Sequence, residues 1–282
     1  MAKILGAFIV LAAVLGGYTL ASGHLLALWQ PFEILIIVGA AIGAFLIANP
    51  VKVTVAAVKM VPRVLAGPSH SKKHYLELLS LLYALFAKVR REGLIAVERD
   101  IEDPKSSKVF RQHPNVARNR EAVEFITDYL RLVIIGDMSS YDLDNLMEAE
   151  IDTMMRAKLA PAQALYRMAD ALPGFGIVAA VLGIVISMQA MGEAPEVLGA
   201  HIAAALVGTL IGILLAYGFV GPFAISCEHH VKYEMKYFDC IRASLVASVN
   251  GVPPKVAIEF GRKILFAESR PSFTDLEKRV RR

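Results

Sequence analysis

The chain has 282 residues and a formal net charge of +4, and 56% of its residues are hydrophobic. Because soluble domains are usually about 45–50% apolar, this composition is typical of a membrane protein rather than a soluble one. Basic and acidic residues are interleaved without an aromatic-basic patch, so no nucleic-acid partner is expected.

Four apolar runs predict four membrane-spanning helices. Each has about 15–22 residues without Lys, Arg, Asp or Glu, close to the ~20 that a helix needs to cross a bilayer. Only a helix satisfies its own backbone in hydrocarbon, so the expected fold is all-α. A cleaved signal peptide is the alternative for the first run, although its 18 residues exceed the usual ~7–15. The runs are Ile4 to Ala21, Ile34 to Ala48, Phe175 to Met191, and Ile202 to Phe223.

Charge placement predicts the topology. The connectors 22–33 and 192–201 contain no Lys or Arg, whereas 51–172 carries 18 and 223–282 carries 11. The positive-inside rule therefore places both termini in the cytoplasm, below the inner membrane. Outside the runs, apolar residues at helical spacing predict amphipathic helices. The expected segments are transmembrane helices 1 and 2 over 1–50, a cytoplasmic helical domain over 51–172, transmembrane helices 3 and 4 over 173–223, and a cytoplasmic helical tail over 224–282.

The composition of the runs limits their chemistry. No Asp, Glu, Lys, Arg or His lies within any of them, so a titrating carboxylate for proton transport would have to come from a partner. Glu33, just before the second run, is interpreted as a charge at a helix N terminus, with an ion funnel as the alternative. Cys227 and Cys240 lack metal-ligand spacing, and no nucleophile–base pair is visible. We therefore expect no metal, no cofactor and no enzymatic activity.

Small residues and prolines mark the third and fourth runs. Small residues recur every fourth position from Ala204 to Ala216, which lets helix backbones approach closely. Packing between the two spans and packing against a partner's helices both remain open. Pro173 would begin its span and Pro222 would close its span. A bend that moves is the alternative for this pair.

Seven motifs follow one another along nearly the whole chain, and together they are highly specific. The motifs are Gln30-Pro31-Phe32-Glu33, Glu98-Arg99-Asp100-Ile101-Glu102, Asp128-Tyr129-Leu130-Arg131-Leu132, LPGFGIVAAVLG at 172–183, VGTLIGILLAYGF at 207–219, EFGRK at 259–263 and RPSF at 270–273. On these motifs the chain resembles the motility protein A (MotA) family, the channel-forming subunits of the bacterial flagellar stator. Gly174 stands where many members have Ala.

The resemblance implies a subunit that couples proton flow across the inner membrane to torque on the rotor. Members form a pentamer around two copies of a MotB-type partner, which has a single span, is anchored to peptidoglycan and supplies the ion-binding aspartate. The cytoplasmic part pushes the rotor switch protein FliG, and membrane lipid surrounds the spans.

The resemblance also implies roles for single residues. Ala180 stands where sodium-driven relatives tend to have Thr, which favours protons. The assigned residues are Arg90 and Glu98 for rotor binding, Pro173 and Pro222 as a hinge that couples to proton binding, and Ala180 and Thr209 as channel lining.

Two other functions are considered beside this one. An ExbB/TolQ-like proton-driven energiser of outer-membrane processes normally has three spans, not four. A membrane scaffold that moves no ions would show no partner-dependent ion flux.

Overall fold

A computed structural model describes residues 2–67, 70–136, 138–189, 192 and 194–281. Every regular element in this part of the chain is a helix, so the all-α prediction is confirmed. The helices are α1 (Ala2–Leu20), α2 (Pro31–Ala48), α3 (Val51–Ala66), α4 (Lys72–Glu92), α5 (Glu98–Glu102), α6 (Lys108–Arg111), α7 (Pro114–Ala117), α8 (Arg120–Ile135), α9 (Ser140–Gln189), α10 (Pro195–Ile213), α11 (Gly221–Val249), α12 (Pro254–Lys263) and α13 (Phe273–Val280), with 3-10 turns at Leu25–Leu28 and Leu94–Val97 and a π-helix at Leu214–Val220.

Four helical stretches are long and apolar enough to cross a membrane, as predicted. Each contains an 18-residue window with a mean hydropathy between 1.9 and 2.3. The stretches are Lys3–Leu20, Leu25–Ala48, Ser140–Gln189 and Pro195–Val249.

The chain divides into two compact units. The first consists of Met1–Gly67 and Lys158–His229, and the second of Pro68–Ala157 and His230–Arg282. The apolar windows of the spans belong to the first unit, and the amphipathic helices α4 and α8 belong to the second. The four segments expected from charge placement are divided where the chain is expected to enter and leave the membrane. Those boundaries stay a prediction.

The core of the first unit is small and is built mainly from short side chains. Ala179 of α9, Ala41 of α2 and Ala216 of the π-helix are buried together. Ile37 and Leu172 complete this cluster. Since short side chains fill little space, the three elements approach closely.

The core of the second unit is built around α4. Leucines at helical spacing, including Leu78, Leu82 and Leu85, are fully buried, because they share the apolar face of an amphipathic helix. The ring of Phe125 on α8 packs edge-on against Phe238 of α11, with ring centroids 5.4 Å apart.

Two expectations about prolines at helix ends are wrong. Pro173 lies inside α9, which continues on both sides of it. Pro222 is the second residue of α11 and follows the π-helix Leu214–Val220 without a break. A proline removes one helical hydrogen bond and its ring clashes with the carbonyl four residues earlier. The wider turn of the π-helix accommodates that clash before Pro222, and packing with neighbouring helices tolerates Pro173.

Candidate functional site

Glycines allow the backbones of α9 and α10 to meet. A Cβ atom on Gly176 would lie 3.2 Å from the carbonyl oxygen of Gly208, and one on Gly212 would lie 2.8 Å from that of Leu172. A Cβ on Gly183 would lie 2.8 Å from the Cβ of Ala205. The structure therefore uses these small residues for packing between the third and fourth spans, the first of the two possibilities left open by the sequence.

Glu33 is a buried carboxylate in this packed region. It is the third residue of α2 and is 8% exposed. Its Oε2 atom has no hydrogen-bond partner among the described residues and lies 3.3 Å from the position that a Cβ of Gly208 would take. The absence of a side chain at Gly208 thus leaves the space that the carboxylate fills.

The expectation that Glu33 is a charge at a helix N terminus is confirmed, because it lies in the first turn of α2. The uncharged apolar run itself begins at Ile34, directly after Glu33. The helix instead begins at Pro31, as expected for proline at the first helical position. Beginning the span at this proline would have placed an acidic residue within it.

Ala180 and Thr209, the predicted channel-lining residues, lie on the two spans that pack together. Both are half-buried within the single chain. The Cα atom of Thr209 lies 3.3 Å from the position that a Cβ of Gly176 would take, one turn before Ala180. Their role in a channel stays a prediction.

Pro173 and Pro222 belong to segments that approach each other. A Cβ on Gly221, next to Pro222, would lie 3.8 Å from the Cβ of Ala169, one turn before Pro173. Pro173 is half-buried and Pro222 is exposed. The hinge role stays a prediction, but both prolines interrupt hydrogen bonding where α9 meets the start of α11.

Arg90 and Glu98, the predicted rotor-binding residues, are both exposed. Arg90 lies in the last turn of α4, and its Nη1 atom donates a hydrogen bond to the Gly251 carbonyl oxygen at 3.0 Å. Glu98 begins α5. A cation at a helix C terminus is favourable for the helix itself, so the position of Arg90 also has a purely structural explanation.

A partly buried ion pair connects the helices that carry these two residues. Lys88 of α4 lies 2.7 Å from the carboxylate of Asp100 on α5. The Ser107 hydroxyl donates a second hydrogen bond to Asp100 at 2.6 Å, and Asp100 is buried. Removing one partner of such a pair leaves an uncompensated charge, so the pair fixes α5 against α4.

Arg131 brings two of the sequence motifs together. Its guanidinium donates to Glu102 at 2.6 Å and to the Ile101 carbonyl oxygen at 3.2 Å, and it also pairs with Asp128 at 2.7 Å. The motif on α8 therefore supports the motif on α5 that begins with Glu98.

Arg262 joins the two motifs near the C terminus. It is 7% exposed, and its Nη2 atom lies 2.7 Å from Glu259. Its Nη1 atom donates to the Pro271 carbonyl oxygen at 3.0 Å, and its guanidinium lies 6.0 Å from the centre of the Phe273 ring. These contacts satisfy a buried charge and give both motifs a structural role.

Comparisons with known proteins cover the whole chain. The family described as "Motility protein A N-terminal" matches residues 4–93, and the "MotA/TolQ/ExbB proton channel family" matches residues 117–239. Motility protein A of Salmonella typhimurium is 43% identical over 281 residues, which cover 100% of this chain and 95% of that protein.

Two solved stator structures have the same fold. The flagellar MotAB stator complex from Bacillus subtilis matches with a TM-score of 0.71 and 26% identity, covering 94% of both chains. MotAB from C. jejuni matches with a TM-score of 0.76, covering 96% of this chain and 98% of that one. At 19% identity, the second match supports the fold alone.

Proposed function

Because the chain belongs to the motility protein A family, we infer that it is a stator subunit of the bacterial flagellar motor. It couples proton flow across the inner membrane, together with a MotB-type partner, to torque on the rotor. The observation that carries this conclusion is the 43% identity to a motility protein A along the full length of the chain. The resemblance predicted from the seven motifs is thereby confirmed.

The described spans supply only some of the groups that proton transport needs. Ion transport through hydrocarbon needs titratable groups. The spans contribute the hydroxyl of Thr209, which does not titrate at physiological pH, and the buried carboxylate of Glu33 in the first turn of α2. We propose that a partner aspartate carries the ion between the two, that Glu33 exchanges protons with it, and that Ala180 and Thr209 face the path. The unpartnered Oε2 atom of Glu33 supports this role.

Movement is proposed to arise at the two prolines. Neutralising the partner's carboxylate changes the balance between two ring arrangements, and helices already interrupted at Pro173 and Pro222 bend there most readily. The π-helix before Pro222 supports this proposal, because such segments often mark functional positions.

The proposed assembly is a pentamer around a dimer of the single-span, peptidoglycan-anchored partner. Arg90 and Glu98 are proposed to contact charges on the rotor switch protein FliG. Both termini are proposed to be cytoplasmic, with four spans contacting membrane lipid. Exposed apolar side chains on α1, including Ile4, Phe8 and Ile9, support a surface that contacts lipid or another subunit.

An ExbB/TolQ-like energiser is disfavoured by the N-terminal third of the chain. The family described for motility protein A alone matches residues 4–93, which contain the first two candidate spans and the residues up to Gly93. ExbB/TolQ-like proteins normally have three spans, whereas the described part of this chain contains four candidate spans.

Complementation tests the proposed function. The chain is expressed, with and without a MotB-type partner, in a flagellated cell that lacks its own stator. We expect swimming and a partner-dependent proton influx only when both proteins are present. Influx without swimming would favour the energiser, and neither swimming nor influx, at normal levels of the chain in the membrane, would contradict both.

A further inference from the structure

A cavity of about 660 Å³ lies in the second unit, on the outer side of α4. Its walls come from α4, from the end of α6 and the residues after it, and from α13 at the C-terminal end of the described chain. Both α12 and α13 pack against α4, so the cavity is formed by residues far apart in sequence. This volume is within the roughly 300–1,000 Å³ of pockets that hold small ligands.

The lining of the cavity is strongly basic. Four cationic side chains face one carboxylate, that of Glu92; they are Lys88, Arg90, Arg91 and Arg279. The charge of Lys88 is matched by Asp100, and Arg91 reaches Glu92 at 3.7 Å. Among the described residues, neither Arg90 nor Arg279 has a carboxylate within 4.0 Å.

His113 closes one side of the cavity without adding a charge. It is buried, with Nδ1 2.7 Å from the Val109 carbonyl oxygen and Nε2 3.1 Å from the Ser80 hydroxyl. Burial lowers the pKa of His113, and the nearby positive charge of Arg279 lowers it further.

The chemistry of the lining suits a phosphate-bearing ligand. A guanidinium group binds phosphate oxygens through paired N–H donors, and the two arginines without carboxylate partners stand on different walls. Tyr83 adds an aromatic ring to the lining, which can stack on a flat base. An inorganic phosphate would fill only a fraction of the volume.

We propose that this cavity binds a nucleotide, with Arg90 and Arg279 holding its phosphates and Tyr83 stacking on its base. An acidic peptide is less suitable, because it has no flat base to stack on the Tyr83 ring. Because Arg90 is also a proposed rotor contact, a bound nucleotide competes with the rotor for this side chain. That consequence, unlike the binding itself, rests on the proposed function.

Calorimetric titration of the purified full-length chain tests the binding. ADP is the probe, and adenosine, inorganic phosphate and a glutamate-rich peptide are separate arms. We expect saturable ADP binding that weakens with added salt, no binding of adenosine, and much weaker binding of phosphate. Equal affinity for phosphate and ADP, or binding of the peptide alone, would contradict the nucleotide assignment.

Two charge reversals, at Arg279 of α13 and at Arg281 directly after this helix, make the test specific. Arg279→Glu should weaken ADP binding by about tenfold or more, since it removes a charge-assisted contact and adds repulsion. Arg281→Glu is the matched control, because Arg281 pairs with Glu277 on the same helix and does not line the cavity. Thermal unfolding establishes that both variants are folded. Equal weakening by both reversals would reveal non-specific charge attraction and overturn the site.

The regulatory consequence has its own measurement. Saturating ADP should lower the affinity of the chain for purified FliG, and Arg279→Glu should abolish this effect. Unchanged FliG affinity with ADP bound would overturn the competition but leave the nucleotide site intact. Loss of FliG binding under all conditions would count against the proposed function instead.

Discussion

Glu33 gives the chain a carboxylate where an unpaired charge is expensive. An ionised carboxylate buried without a hydrogen bond is strongly disfavoured in an apolar surrounding, and the Oε2 atom of Glu33 has no such bond. The group therefore holds a proton or gains a partner when the stator assembles. The proposed proton exchange with the partner aspartate uses the first of these two states.

Glu33→Gln should slow swimming and reduce proton influx without preventing assembly. Glutamine preserves the size of the side chain and removes the titratable proton, whereas Glu33→Asp should retain part of the function. Glu196→Gln is the control, because Glu196 also lies in the first turn of a span but is exposed. Full-speed swimming of the Glu33→Gln strain would remove this residue from the proton path.

Reversing the charge of Arg90 or Glu98 should reduce torque gradually rather than abolish it. An exposed ion pair contributes only about 0.2–1 kcal/mol, and the exposed charges of Arg91 and Glu92 lie directly beside Arg90. Swimming speed and torque of tethered cells measure the effect of Arg90→Glu and Glu98→Lys. Restoration by an opposite change on FliG would establish direct contact.

Arg118→Glu is the matched control for this experiment. Arg118 is an exposed arginine at the end of α7 with no predicted rotor role. Reversals at Arg90 and Arg118 that lower torque equally would point to a general effect of surface charge. Unchanged torque in the Arg90 and Glu98 variants would refute their assignment.

Single residues differ in how well the sequence identifies them. Arg90 and Glu98 are exposed, as expected for residues that contact another protein, and the sequence predicts them only through family resemblance. The buried position of Glu33 depends on the missing side chain of Gly208 about 175 residues later, a non-local effect. Local sequence rules therefore count it as a terminal charge.

At the scale of elements, Gly261 controls how closely α12 approaches α11. A Cβ on this residue would meet the Ser244 hydroxyl and would lie 2.6 Å from the Cys240 carbonyl oxygen. Because the backbone of α11 cannot move aside easily, Gly261→Ala should destabilise the chain by about 1–3 kcal/mol. Thermal unfolding of the purified full-length chain measures the change.

Gly174→Ala is the control for that substitution. Gly174 lies inside α9, and no heavy atom is within 4 Å of its Cβ position. Alanine there should stabilise the helix by roughly 0.5–1 kcal/mol, because glycine has more backbone entropy to lose. If Gly261→Ala were as stable as Gly174→Ala, the close approach of α12 would be wrong.

Removing both hinge prolines should lock the helices that they interrupt. A proline inside a helix costs about 3 kcal/mol, so Pro173→Ala with Pro222→Ala should straighten α9 and the start of α11 and stabilise one arrangement. We expect the double variant to lose swimming and partner-dependent proton leak while its thermal stability rises. Intact motility and leak would contradict the hinge.

Pro161→Ala tests whether the effect is specific to the two proposed hinge prolines or arises from removing any proline of α9. Pro161 also lies inside α9 and is buried, but it is not one of the proposed hinge residues. Its substitution should leave swimming close to normal. Equal loss of swimming in the Pro161→Ala strain would show that any change of α9 stiffness is harmful.

The elements themselves are mostly predictable from periodicity, whereas their ends are not. Apolar length predicts four spans, and apolar spacing predicts the buried leucine face of α4. The expectation that a proline ends a helix fails at Pro222, because the wider turn of the preceding π-helix accommodates the proline ring and the chain continues as α11. Cores that form between distant segments, such as Ala41 against Ala179, carry no local signal.

At the scale of the whole molecule, the two units separate two kinds of chemistry. The unit with the apolar windows has short side chains at its core, and exposed apolar residues such as Leu206 and Ile213 on α10. Since a stripe of small residues is used for packing inside the chain, these exposed apolar faces are the surfaces that remain for contact with lipid or another helix. The second unit, with exposed charges and ion-paired helices, is suited to contacts in water.

The predicted lining residues in the first unit favour a proton over sodium as the ion that drives rotation. Sodium in a membrane must exchange its hydration shell for several oxygen ligands, and the two predicted lining residues provide one hydroxyl, from Thr209, beside the methyl group of Ala180. A proton needs only a carboxylate that can titrate. Swimming speed should therefore be independent of external sodium and should fall to zero with a protonophore. Replacing sodium with potassium at constant ionic strength keeps charge screening unchanged, so a speed that rises with sodium or survives the protonophore would identify a sodium-driven motor.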